Sequence, residues 1–144
     1  MKKFIILIII LLAGSLQAEG DSCKLEIDIK KIRNDQGKIT LAIYNQPHKD
    51  FPNNHKLAIV KKELVIKNKT AVLSLETKCG KYAVAVFHDE NGNSQHDVNM
   101  LGIPKEGYGF SNNLDSKFGP PEYQKAEFTL EKNRKIEIDL LYLY

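Results

Sequence analysis

The residues with the clearest chemical potential lie in one polar segment that spans positions 88–97. Side chains ending in oxygen occur there at alternate positions, with Gly92 among them. A loop with this spacing can coil around a hard cation, and Ca²⁺ takes about 6–8 oxygen ligands. We therefore predict a calcium site, with Asn99 or Glu106 as a candidate additional ligand. The predicted ligands are Asp89, Asn91, Asn93, Gln95 (through its backbone carbonyl) and Asp97.

The segment differs from an EF-hand calcium loop at two positions. Ser94 takes the place of the glycine that makes the sharp turn, and Met100 takes the place of the bidentate glutamate. An apolar strand pattern, and not a helix, precedes the segment. The prediction is therefore a calcium loop of another kind. The alternative is that Asp, Asn and Gly occur here because turns favour them.

Two histidines flank the same segment and suggest other chemistry. His88 and His96 could ligate zinc, but their separation matches no common spacing of zinc ligands. A hydrolase could use Asp89, Asp97 or Glu106 together with His88 as general acids and bases. The hydrolase interpretation is kept as an alternative, because nothing in the sequence fixes the distances between these groups.

A second candidate surface lies further along the same connection, which runs from residue 88 to about residue 123. The connection is rich in aromatic residues, Gly and Pro, which favours an ordered, packed loop over a disordered one. Its aromatic rings could bind sugar rings or peptide side chains; the alternative is that they cap the open end of the domain. The candidate ligand-binding residues are Tyr108, Phe110, Asn112, Asn113 and Phe118.

The elements that must position this loop have the pattern of strands. Apolar and polar residues alternate over 25–29 and 39–43, and the turn between them predicts a hairpin. Residues 82–87 are apolar on both faces and predict a central strand, in which Ala83 and Ala85 permit close packing. We predict an all-β fold, a single antiparallel β-sandwich of about seven strands with one long ordered loop. The remaining predicted strands lie within 57–66, 71–75, 126–130 and 136–140.

The start of the chain has the pattern of an export signal. Lys2 and Lys3 precede an apolar run of about ten residues, which is shorter than the roughly 20 that a membrane-spanning helix needs. We predict a signal peptide at 1–20 and a β-sandwich domain at 21–144, with no membrane span after the signal is removed. The signal segment contains Lys2, Lys3 and Glu19, so the 124 remaining residues (144 − 20) carry a formal charge of 19 − 17, or +2, and nucleic acid is not an expected partner. Cys23 and Cys79 are expected to form a structural disulfide.

Three segments resemble those of a known family: Tyr82–Asn93, Leu101–Asn113, and Phe118–Pro121 with Ala126 and Phe128. The chain resembles an exported bacterial family catalogued as domain of unknown function 2141, over essentially its whole mature length. The resemblance implies a sandwich similar to transthyretin-like (prealbumin-like), immunoglobulin-like and collagen-adhesin B-type domains, and it implies no particular activity. The family usually has Gly-Lys-Leu where this chain has residues 94–96, which puts the tight turn in question. Because related sandwich loops often carry calcium, the resemblance also favours the calcium site.

The leading interpretation is an exported protein, periplasmic or secreted, that acts as a non-catalytic binding or accessory module of the cell envelope. Its expected partner is a small molecule, a glycan or an envelope protein, and calcium orders the loop at 88–123. The first alternative is the periplasmic hydrolase described above. The second is a purely structural envelope protein.

Overall fold

The computed structural model describes residues 21–144, and the predicted signal peptide at 1–20 lies outside them. The described chain is built from strands, with one short helix α1 (Tyr123–Ala126) and two single 3-10 turns at His55–Leu57 and Ser111–Asn113. Within residues 21–144, no helix is long and apolar enough to cross a membrane. The strands are β1 (Ser22–Lys30), β2 (Lys38–Tyr44), β3 (Val60–Leu64), β4 (Ala71–Lys78), β5 (Gly80–Asp89), β6 (Tyr108–Phe110), β7 (Phe128–Leu130) and β8 (Arg134–Asp139).

The strands form two sheets, which confirms the predicted all-β sandwich. The smaller sheet has the order β4-β1-β8, and the larger has the order β3-β2-β5-β6, with β7 pairing along the first residues of β5. The sandwich is not wholly antiparallel as predicted, because β1 and β8 pair in parallel. The predicted hairpin between β1 and β2 is also wrong. These two strands lie in different sheets, so the turn that joins them crosses the sandwich.

The described residues contain one strand more than predicted. Strand β6 is only three residues long and pairs with the middle of β5. Its central residue, Gly109, lies so close to the other layer that an added Cβ would approach the Ile138 side chain to 2.8 Å and the Asp139 carbonyl to 2.9 Å. A short strand of this kind has no alternation from which it could be predicted.

The main core lies between the two sheets. Alternate residues of β1 and β2 point inward and are almost fully buried, as their period of two predicted. Each such side chain contributes about 1.5–3 kcal/mol of hydrophobic stabilisation on burial. The central residues of this core include Leu25, Ile27, Ile29, Ile39, Leu41, Ile43, Val84 and Ile138.

A second apolar cluster lies on the outer face of the larger sheet. There Ala83 and Ala85 of β5 pack beneath aromatic residues from two loops, so β5 is buried on both faces, as predicted for a central strand. Phe51 stands at the middle of this cluster, with its ring centre 5.0 Å from that of Tyr44 and 5.7 Å from that of Tyr123. The long loop is therefore packed against the sheet and does not hang free of it.

The predicted disulfide is confirmed. Cys23 in β1 is bonded to Cys79, which lies between β4 and β5, with a Cα–Cα distance of 5.1 Å. Since β1 belongs to the smaller sheet and β5 begins at the next residue in the larger one, the bond joins the two layers at one end of the sandwich.

Candidate functional site

The loop at 88–97 leaves the sandwich from a firmly held strand end. His88 is fully buried, and its Nε2 lies 2.7 Å from the Gln36 carbonyl oxygen while its Nδ1 lies 2.9 Å from the Tyr142 hydroxyl. Because a carbonyl can only accept, Nε2 donates to Gln36, while Nδ1 forms its hydrogen bond with the Tyr142 hydroxyl. Both ring nitrogens are thus engaged in holding the strand in place.

Asp89 is the last residue of β5 and is fully buried. Its Oδ2 accepts a hydrogen bond from the Ser94 backbone at 2.9 Å and lies 3.7 Å from the Lys38 ammonium. Its Oδ1 is buried and has no hydrogen-bond partner among the described residues. Leaving one oxygen of a buried carboxylate unpaired is costly, so this atom marks a place where a positive ligand would be stabilising.

The other predicted cation ligands converge on Asp97. The Asn91 amide donates to Asp97 Oδ2 at 2.6 Å, and the Asn93 amide donates to both carboxylate oxygens at 3.1 Å. The side-chain oxygens of the two asparagines accept from the backbone amides of Asn93 and Gln95, at 3.0 and 2.8 Å. The Gln95 side chain is exposed. The loop therefore coils with its polar side chains gathered on one side.

The tight turn is present at the position where the sequence put it in question. Ser94 adopts a φ of +61° and Gly92 a φ of +74°, both in the left-handed region. The strained serine is held by the bond from its amide to Asp89 and by the Lys38 ammonium, 3.1 Å from its hydroxyl. The contacts of Asp89 and Lys38 thus maintain a conformation for which glycine is usually required.

Glu106 and Asn99, the candidate additional ligands, hold the base of the loop. Glu106 is 5% exposed, and its two carboxylate oxygens accept from the Glu90 amide at 3.0 Å and the Asp97 amide at 3.1 Å. Asn99 accepts from the amides of Leu101 and Ile103 through its side-chain oxygen. The structure brings Glu106 to the two ends of the loop at 88–97, and the Asn99 side chain forms hydrogen bonds within the turn that follows.

The predicted ligand-binding residues are spread over several environments. Tyr108 and Phe110 lie side by side on β6, with ring centres 6.1 Å apart, and both are buried. Asn112 donates to two backbone carbonyls near α1, and Asn113 accepts from the Asp139 amide at 2.8 Å. Phe118 is fully exposed. Tyr108 and Phe110 therefore share one site, while the asparagines brace neighbouring segments and Phe118 lies apart.

A cavity of about 450 Å³ opens beside Tyr108 and Phe110, on the outer face of the larger sheet. Its floor comes from alternate residues of three neighbouring strands, which the register places in two rows. One wall is the stretch 94–96 of the predicted calcium loop, and another is formed by Pro52, Asn53 and His55. Ala42 lies opposite Ala85 in the register, and the small size of both leaves the space open. The floor residues are Thr40, Ala42, Ala85, Phe87, Tyr108 and Phe110.

Two buried polar atoms in the cavity lining lack hydrogen-bond partners among residues 21–144. They are the Thr40 hydroxyl oxygen and His96 Nε2. The His96 ring lies between aromatic rings, with centre distances of 5.5 Å to Phe87 and 5.7 Å to Tyr108. Burial lowers the pKa of His96, while the charges of Glu106 and Asp97 oppose that shift. A neutral imidazole is thereby favoured as a hydrogen-bonding group of the cavity.

Sequence reasoning missed most of this cavity. His55 borders it, as do Thr40, Ala42 and Lys61, and the sequence pointed to none of the four. Three floor residues had a signal in the sequence: Tyr108 and Phe110 were candidate ligand-binding residues, and Ala85 was expected to permit close packing. The residues meet through strand register, which the sequence alone does not reveal.

A family described as "uncharacterized protein conserved in bacteria (DUF2141)" matches residues 27–138. The chain belongs to this family. The matched region of this DUF2141 protein extends from the middle of β1 into β8 and includes both the loop at 88–97 and the cavity. No curated protein and no solved structure matches the chain. The similarity to transthyretin-like, immunoglobulin-like and collagen-adhesin domains stays a prediction.

The chemistry available in this DUF2141 protein follows from these contacts. Residues 21–144 contain no group of three or more His, Cys, Asp or Glu side chains arranged to hold a metal ion. A cation in the loop would therefore depend on amide and backbone oxygens in addition to its two carboxylates. The cavity combines an apolar floor with a few polar atoms, which is the usual composition of a small-molecule site.

Proposed function

We propose that this DUF2141 protein is an exported, non-catalytic binding module of the cell envelope, with its ligand site in the cavity on the larger sheet. The observation that carries the proposal is that Thr40 and His96 line one cavity, and that their Oγ1 and Nε2 atoms are buried without hydrogen-bond partners among residues 21–144. An unsatisfied buried polar atom costs about 1–3 kcal/mol. A bound ligand that supplies partners for both would recover that free energy.

Export is supported by the signal-like pattern at 1–20 and by the disulfide. A bond such as Cys23–Cys79 is typical of oxidising compartments. Small exported domains are commonly stabilised by disulfide bonds, and this domain shares that feature.

A binding role accounts for the contacts better than hydrolysis does. Both ring nitrogens of His88 are engaged, and both carboxylate oxygens of Glu106 accept backbone amide bonds. These groups hold the loop in shape and are poorly placed to exchange protons with a substrate. A purely structural role, in turn, leaves the polar atoms of the cavity unexplained.

We further propose that one Ca²⁺ ion orders the loop at 88–97. The unpaired Oδ1 of Asp89 supports this, since a buried carboxylate oxygen is stabilised by a cation. Asn91 and Asn93 retain a second lone pair on each amide oxygen, and a cation would replace their amide groups as the partner of Asp97. Because residues 94–96 lie inside the loop and line the cavity, the ion would also fix a wall of the ligand site.

The calcium proposal is tested by thermal unfolding of the oxidised mature protein in 10 mM Ca²⁺ and in chelator. For a dissociation constant of ~0.1–1 mM, binding adds about 1.4–2.7 kcal/mol to the free energy of unfolding. With an unfolding entropy of about 0.26 kcal/mol/K for 124 residues, the Tm rises by roughly 5–10 °C. Asp89→Asn should abolish the rise. Asp115→Asn, an exposed carboxylate of the same long loop, should retain it.

An equal rise with Mg²⁺, or a rise that persists in Asp89→Asn, would contradict a specific site at this position. Mg²⁺ demands a smaller octahedral arrangement and serves as the ion control. The absence of any rise in the native protein would remove calcium and leave the cavity proposal standing.

The cavity proposal is tested by two-dimensional NMR titration with neutral fragments, indole and benzamide, at up to 10 mM. We expect saturable shifts of the amides of Thr40, Ala85 and His96. Ala85→Phe fills the floor and should abolish them, whereas Val72→Phe, which adds a ring on the exposed face of β4, should not. Ala85→Leu serves the same purpose if the phenylalanine variant does not fold. Shifts that are equal in both variants would place binding elsewhere and refute the site.

A further inference from the structure

The formally charged side chains that line the cavity are of one sign. Among residues 21–144, none of the residues that line it is Asp or Glu, and Lys61 stands among them. Lys61 lies opposite Ala42 in the register between β3 and β2, so it shares the face on which the cavity opens. It forms no ion pair within residues 21–144, and its ammonium group is exposed.

The carboxylate of the same edge strand, β3, is already paired with another lysine. Glu63 lies opposite Thr40, and its Oε1 is 2.8 Å from the Lys38 ammonium. Lys38 also lies 3.7 Å from Asp89. The two lysines therefore differ in their contacts. Lys38 forms ion pairs with Glu63 and Asp89, whereas the positive charge of Lys61 is available to a ligand at the rim of the cavity.

The interior of the cavity adds apolar surface and hydrogen-bonding groups. Ala42, Ala85, Phe87 and Phe110 offer a floor for an aromatic or aliphatic body. The Thr40 hydroxyl and His96 Nε2 supply the polar atoms, both without partners in the described chain. A ligand that matches this arrangement has an apolar body and one compact polar group with a negative charge.

We propose that the cavity binds a small organic carboxylate with an aromatic or aliphatic body. This inference rests on the proposed binding function and names its ligand class. A carboxylate carries one negative charge, which matches the single unpaired ammonium at the rim. Its two oxygens can accept several hydrogen bonds, including that of the Thr40 hydroxyl. A phosphate, with a higher charge, would call for a cluster of cationic donors, and the lining contains one lysine and no arginine.

The test compares matched acids and amides at pH 7, by NMR titration of the oxidised mature protein with benzoate against benzamide and hexanoate against hexanamide. A partly exposed charge pair contributes modestly, so we expect each acid to bind about fivefold more tightly than its amide. The shifted amides should be those of Thr40, Ala85 and His96.

Two lysine variants on the edge strand β3 separate the effect of the charge at the cavity rim from the effect of removing any one lysine charge from the strand. Lys61→Met should remove the preference for the acids and leave the amides unaffected. Lys62→Met is the matched control, because Lys62 lies opposite Leu41 and so belongs to the other face of the sheet. It removes the same charge and should retain the fivefold preference.

The outcomes distinguish this inference from the function on which it rests. If acids and amides bind the cavity equally, or if Lys62→Met acts like Lys61→Met, the carboxylate inference is overturned and the binding module stands. If neither the acids nor the amides shift the cavity amides at 20 mM, both proposals fail.

Discussion

Replacement of Gly37 by alanine probes the contact that joins the β1–β2 turn to the loop at 88–97. Gly37 has a φ of +68°, and an added Cβ would lie 1.9 Å from the Asp89 carbonyl oxygen and 2.8 Å from Glu90 Cα. Both are backbone atoms, so no side-chain rotation can relieve the overlap. Either the turn or the end of β5 must move.

The expected loss of stability follows from two separate costs. A left-handed alanine costs about 1–2 kcal/mol, and forced overpacking costs about 1–3 kcal/mol. Alanine also reduces the entropy of the unfolded chain, which returns about 0.4–1 kcal/mol. The net destabilisation is roughly 2–4 kcal/mol. With the unfolding entropy of about 0.26 kcal/mol/K used above, the Tm falls by roughly 8–15 °C.

The assay is calorimetric unfolding of the oxidised protein in chelator, with Gly92→Ala as the matched control. Gly92 has a similar φ of +74°, and its added Cβ would meet no atom of residues 21–144 within 4 Å. The control therefore carries the conformational cost alone and should lower the Tm by no more than roughly 6 °C. If the two variants melt within 2 °C of each other, close approach to Asp89 is not the reason for glycine at position 37.

Two further predictions concern the ends of β1. Replacing both Cys23 and Cys79 by serine removes a bond between residues 56 apart in sequence, which should cost ~4 kcal/mol and lower the Tm by roughly 15 °C; an unchanged melt would contradict a stabilising role. The hydrogen bond from Lys135 is the main cause that holds the pKa of Asp28 below its usual value. Its contribution is therefore present above about pH 4 and lost as the pH falls through the lowered pKa. Asp28→Asn should lower the Tm at pH 7 and leave it unchanged at pH 2, and an equal loss at both values would refute the ionic origin.

The strands could be predicted where burial imposes a period of two, but their pairing could not. The same alternation describes β1 and β2 whether they form a hairpin or lie in facing sheets, and the turn between them suits both connections. Strand β6 could not be predicted from the sequence, because its three residues, centred on Gly109, are too few to show an alternation of apolar and polar residues. The disulfide could be inferred because the chain has two cysteines, which leave one possible pairing.

The candidate site was half predictable for a related reason. The loop at 88–97 is local, so its spacing is visible in the sequence, and even Ser94 keeps the turn through contacts with Asp89 and Lys38. The cavity is assembled from residues far apart in the chain. Thr40 and His96 line the same cavity only because β2 pairs with β5 in this register and because the loop at 88–97 folds back over the sheet.

The parallel pairing of β1 with β8 has a consequence for the order of folding. Leu25 in β1 lies beside Arg134 in β8, so the domain's first strand depends on its last for one of its two neighbours. During synthesis from the N-terminus, the smaller sheet cannot close until β8 has emerged. Such long-range contacts also slow folding, because the chain must close a large loop before the pairing stabilises it. A chain that ends before residue 134 therefore leaves β1 with an open edge, however well the rest of the domain has formed.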